Sequence, residues 1–144
     1  MTSYQKIFSS FLRKIEDSSL AKLSDEDQTA MLTGWLDDAI GMIELDGLKI
    51  KSDLSDRDNN KQSFTASLYN SEIEVISLYM VVAWYEPIVN SLEHTGMFWG
   101  AKDDKWSNQK DHYESTKKVQ ESYRIRARKY FRNYDYRHND YIIS

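Results

Sequence analysis

The stretch Ser71-Glu72-Ile73-Glu74-Val75-Ile76-Ser77-Leu78-Tyr79-Met80-Val81-Val82-Ala83-Trp84-Tyr85 decides the fold class. It opens as a capping box, a serine with a glutamate three residues on, which together satisfy two free N–H groups of a helix start. Apolar residues then fill nearly every position, with Ser77 the one polar break between Val75 and Tyr85. A half-buried strand would alternate apolar and polar residues. A helix that is apolar all round is surrounded by other elements. The run is 11 residues long, and a helix crossing a bilayer needs about 20. The stretch therefore reads as the central helix of a helical body, continuing to about Glu93. Pro87 lies inside it, removes a hydrogen bond and predicts a kink, and Gly96 offers a stop.

Upstream, two amphipathic patterns supply partners for that helix. Tyr4, Ile7, Phe8, Phe11, Leu12 and Ile15 form one stripe, predicting a helix from Ser3 to about Glu16. Ser24-Asp25-Glu26-Asp27 places a capping serine before three acids, which the positive end of the helix dipole favours. The stripe that follows is Met31, Leu32, Trp35, Leu36, Ala39, Ile40 and Ile43, ending near Glu44 with Gly47 beyond. Leu36, Trp35 and Trp84 are expected in the core.

Residues 45–70 change period. Leu48 and Ile50 alternate with lysines, and Phe64, Ala66 and Leu68 alternate with polar residues, so a projecting β-hairpin or extended loop is expected there. It is expected to be the only β structure. A two-stranded hairpin is marginal alone and needs a surface to lean on. Downstream, a fourth helix starts near Ser107 or Asn108 and reaches about Tyr134. Its stripe is Tyr113, Thr116, Val119, Gln120, Tyr123, Ala127, Tyr130, Phe131 and Tyr134. An extended C-terminal arm, 135–144, completes the outline. The fold class is mainly α: a four-helix body in a single domain, residues 1–144.

Composition supports one domain and narrows the function. The chain has 144 residues, no cysteine, five glycines and one proline. A disulfide framework, a cysteine-based zinc site and a cysteine nucleophile are excluded. Histidines at 94, 112 and 138 form no metal-binding pair, and Asp37-Asp38 and Asp103-Asp104 are neighbours that point about 100° apart on a helix. No phosphate-binding loop or nucleophile elbow occurs. No enzyme activity is expected, and no catalytic residue, cofactor or metal is assigned. Met1 to Lys6 leads into an amphipathic pattern and carries no apolar signal core, so a protein made in the cytoplasm is expected.

Charge is uneven. Residues 1–60 carry 7 basic and 12 acidic side chains; residues 117–137 carry 8 basic and 2 acidic. Lys117, Arg124, Arg126, Arg128, Lys129 and Arg132 are candidate electrostatic contacts on the last helix. Arginine among tyrosines suits phosphate contact and stacking, so one reading is a nucleic-acid-binding regulator using residues 117–137. A solvated helix face is the plain alternative. A third reading lets an acidic N-terminal half attract a basic C-terminal helix between copies, with Asp25–Asp27 or Asp37-Asp38 as counterparts. Trp99, Trp106, Tyr136, Tyr141, Ile142 and Ile143 are candidate partner contacts, because aromatics and aliphatics in polar surroundings are typical interface anchors.

Three places carry a resemblance. They are Tyr4…Ile7-Phe8…Phe11-Leu12 with Leu23-Ser24-Asp25-Glu26-Asp27 and Trp35-Leu36; Met80-Val81-Val82-Ala83-Trp84…Pro87; and Met97-Phe98…Gly100…Lys102…Lys105-Trp106-Ser107…Gln109…His112. In these the chain resembles small head–tail connector proteins of tailed bacteriophages, especially those of Gram-positive hosts. The resemblance implies a virion structural protein of the neck, assembled in the host cytoplasm. Copies would form a dodecameric ring under the portal, extending the DNA channel and linking head to tail. The implied partners are the chain itself, the portal protein, the next neck or tail-completion protein, and packaged DNA passing without sequence specificity. No membrane and no cofactor are implied.

Overall fold

The computed structural model describes residues 1–97 and 104–137. In chain order the elements are β1 (Thr2–Ser3), α1 (Tyr4–Leu12), α2 (Ser18–Ala21), α3 (Asp25–Leu45), β2 (Arg57–Asp58), β3 (Ser63–Phe64), α4 (Asn70–Met97) and α5 (Asp104–Arg137). The fold is mainly α. Helix α4 is the hub, packing against α1, α3 and, most extensively, α5. Its residues Val75, Ile76, Leu78, Tyr79, Met80 and Val81 are at most 1% exposed, so the continuous apolar run is covered from several sides. Length and hydropathy alone would let Asn70–Glu93 cross a bilayer, but its apolar side chains up to Ala83 are buried within the protein. Ser77, the polar break, meets Ser10 of α1 at 3.0 Å and also donates to the Glu74 carbonyl, so its burial leaves nothing unpaired.

The helix ends follow local chemistry, with four corrections to the expected ends. Ser24 accepts from the Asp27 N–H as predicted, above an acidic first turn. At the other end of α3, Gly47 adopts φ +74°, the Gly47 N–H donates to the Glu44 carbonyl and the Leu48 N–H to the Ile43 carbonyl. This pair of bonds is the Schellman arrangement, which needs the left-handed residue glycine supplies. The expected cap of α4 shifts by two residues. Glu72, and not Glu74, reaches back, to the Tyr69 N–H at 2.9 Å, and its two oxygens also accept from the N–H and hydroxyl of Ser52. Glu74 instead pairs with Lys14 at 3.0 Å. Glu72 thus joins the start of α4 to Ser52, while Glu74 is taken by Lys14, just past α1. The first helix ends at Leu12 and not at Glu16. Asp17 starts a new turn, its carboxylate accepting from the N–H groups of Ser19 and Leu20 and from the Trp84 indole at 2.9 Å. Trp84 is accordingly half-buried with its N–H satisfied, while Trp35 and Leu36 are core residues. Helix α4 continues through Pro87 and past Gly96 to Met97, and α5 begins at Asp104, ahead of the expected start.

Residues 45–70 hold a small hairpin, displaced from the alternating stretches. Strands β2 and β3 pair antiparallel, with Arg57 opposite Phe64 and Asp58 opposite Ser63. The turn is built by Asp58, whose carboxylate accepts from the N–H groups of Asn60 and Lys61. The expectation that this region holds all the β structure is overturned: β1 pairs with the free side of β3, Thr2 opposite Phe64, giving the order β1-β3-β2. Leu48 and Ile50 join no ladder but lie partly buried against the core. The hairpin finds its supporting surface in the body itself. Phe64 is fully buried, with its ring centroid 5.1 Å from that of Tyr4, and the Tyr4 hydroxyl donates to Asn59.

Gly41, inside α3, has no partner-imposed need to be glycine among the described residues. A Cβ there would meet nothing within 4 Å. Glycine in a helix interior is less stable than alanine by about 0.5–1 kcal/mol. Gly41→Ala is expected to raise stability by about that amount, read as a higher denaturant midpoint with unchanged slope.

Candidate functional site

Helix α5 sorts the six candidate cations into four kinds. Its inner face is Thr116, Gln120, Tyr123, Ala127 and Phe131, with Ala127 fully buried. The Gln120 amide donates to the Val82 carbonyl and to the Glu86 carboxylate. Arg124 flanks this face and is committed internally. Its Nε donates to Asp46 Oδ2 at 2.9 Å and a second guanidinium nitrogen binds Oδ1, a bidentate pair at the end of α3. The hydroxyl of Tyr79, itself fully buried, donates to Asp46 Oδ2 at 2.6 Å. The Asp46 side chain is 10% exposed and that of Arg124 26%. Hydrogen bonding from Arg124, helped by Tyr79 and opposed by burial, holds the Asp46 carboxyl below its usual range. Burial and the adjacent carboxylate push the Tyr79 hydroxyl up. Arg124 is therefore a tie between α3, α4 and α5, a role its spacing in sequence did not reveal.

Two cations lie over rings of their own helix: Arg126 is 4.8 Å from the Tyr123 ring centroid and Lys117 5.6 Å from that of Tyr113. Arg128 faces Glu121 at 3.6 Å in a largely exposed pair, which contributes little in water. Lys129 and Arg132 are exposed. With 100° per residue, Lys118, Ile125, Lys129 and Arg132 fall on the face turned away from α4, with Arg126 at its margin. Ile125 is 42% exposed in the middle of that face. Between Lys118 and Arg132 the result is a basic outer stripe with an apolar centre; Asp111 and Glu114 share the face nearer the start of α5.

The acidic counterparts also divide. Asp37 is held by Arg57 at 3.0 Å and accepts from Asn59. Asp25, Glu26 and Asp27 are exposed at the start of α3, and Asp38 is exposed with no ion-pair partner among the described residues. Asp38 stands on a shallow groove between α3 and α4 whose wall includes Gly41, Met42, Leu45, Ala83 and Glu86. Leu45 is 81% exposed at its edge. Sequence reasoning missed this groove. Its signal was present: Gly34 and Gly41 lie seven residues apart off the apolar stripe of α3, and Leu45 continues that line.

Of the candidate partner contacts, Trp99, Tyr141, Ile142 and Ile143 lie outside the described residues. Trp106 and Tyr136 belong to α5 by backbone, and their side chains also lie outside what is described. Among the described residues no three potential ligands gather to hold a metal ion. No family model matches the chain, and neither the curated proteins nor the solved structures contain a match to it.

Proposed function

We propose that the chain is a structural subunit of the phage neck, a connector that assembles with copies of itself and binds the portal beneath the head. The observation that carries this reading is the separation of complementary surfaces onto different elements. From Lys118 to Arg132 the outer face of α5 is basic with an apolar centre, and the exposed α3–α4 groove is apolar with acidic groups at its edge. Such a pair is heterologous, and heterologous contacts build rings when the rotation closes. The sequence resemblance supplies the biological setting. A connector subunit needs a rigid body, and the α3–α4–α5 tie at Asp46 provides one.

The nucleic-acid regulator is the second reading, favoured by the density of positive charge on α5. It has less support, because Arg124 is bound to Asp46 and Arg128 faces Glu121. The test is co-expression with the portal protein of the same phage, followed by light scattering and electron microscopy. A multi-subunit ring coaxial with the portal is expected. A chain that ignores the portal but binds one duplex sequence selectively at moderate salt would overturn the connector reading.

A further inference from the structure

We propose that the groove between α3 and α4 is the seat for the outer face of α5 from a second copy of the chain. The chain's own α5 cannot fill it. Lys118, Ile125 and Lys129 lie about 140–200° around the helix from Gln120 and Ala127, which pack on α4, so they face away from the body. The groove offers what that face lacks. Met42, Leu45 and Ala83 are apolar and can cover Ile125, and Asp38, exposed and unpaired among the described residues, can meet Lys118 or Lys129.

Gly41 strengthens the fit. It leaves the middle of the groove without a side chain, in a helix where the space for a Cβ is open, so another helix can approach α3 closely there. The exposed Leu45 otherwise leaves a large apolar side chain in water at the groove edge. Asp37 is excluded as the anchoring acid because Arg57 already holds it. The inference deepens the assembly reading above, since it requires a second copy, but it does not require the portal.

The absence of cysteine from the chain permits a direct test. A Leu45→Cys protein is mixed with an Ile125→Cys protein and treated with a short bismaleimide. Both positions are exposed; circular dichroism and light scattering check that each variant keeps the wild-type helix content and association state, since both side chains belong to the proposed contact. A mixture of Leu45→Cys with His112→Cys, about 20 Å further along α5, measures chance collision. The expected result is a heterodimer yield several-fold above that control, cut back by high salt. Lys129→Glu in the Ile125→Cys partner should lower the yield, and Asp38→Lys in the Leu45→Cys partner should then recover part of it. Gly41→Gln, which fills the groove, should abolish it in folded protein. A yield no higher than the His112→Cys control overturns the proposal. Portal binding with control-level cross-linking would refute the groove and leave the connector reading standing. Strong cross-linking without portal binding would do the reverse.

Discussion

Phe64→Ala is expected to cost about 3–5 kcal/mol, the range for deleting a fully buried phenylalanine. Phe64 is the only side chain of the small sheet's central strand that sinks completely into the core. Its ring packs on Tyr4, and its backbone lies between Thr2 on one side and Arg57 on the other. Removing the ring would open a cavity beneath α1 and leave three two-residue strands without an anchor. Strands that short do not hold together by their own hydrogen bonds. Urea unfolding measures the loss. A change below about 1 kcal/mol would mean that the site collapses around the deletion.

Asp46→Ala is expected to cost about 2–3 kcal/mol, nearer the lower end for breaking a buried ion pair because Arg124 is 26% exposed. The variant would leave both the Arg124 guanidinium and the buried Tyr79 hydroxyl without their shared acceptor. The pH dependence gives a second measurement. Hydrogen bonding by Arg124 lowers the folded-state pKa of Asp46 from its ordinary 3.8. A carboxyl with a depressed folded pKa contributes stability that is complete above its unfolded pKa and is lost as pH falls through the folded one. Wild-type stability should therefore fall more steeply below about pH 4 than that of Asp46→Asn. Some acid sensitivity should persist in the variant. Asp17 is also held low, by hydrogen bonds from Ser19 and Trp84. Equal slopes for the two proteins would remove Asp46 from the account of acid stability.

The Asp46 site also bears on assembly. Arg124 lies among the basic residues of α5, and a charge reversal there would unfold or loosen the junction of three helices before it reported on any partner. Lys129 reports on the outer face without that confusion, because it is exposed and outside the Asp46 network.

The sequence alone determined four of the five helices, most members of their apolar stripes and both ends of α3. Those features depend on neighbours within a turn or two: the Ser24 cap, Gly47 in its left-handed conformation, and the unbroken run into Tyr85 are local physics. Amphipathic spacing also placed Leu36, Ile43 and Ala127 in the core, and the unbroken apolar run placed Tyr79 there. The tertiary structure decided every feature that joins distant parts of the chain. The capping glutamate of α4 is Glu72, which also binds Ser52 from twenty residues upstream, and the sheet gained Thr2–Ser3 on the free edge of β3. Asp46 and Arg124 are 78 residues apart, and no periodicity in either helix could announce that they meet. Charge in a sequence shows how many cations a helix carries; only the packing of that helix shows which are already neutralised inside the protein and which remain for a partner.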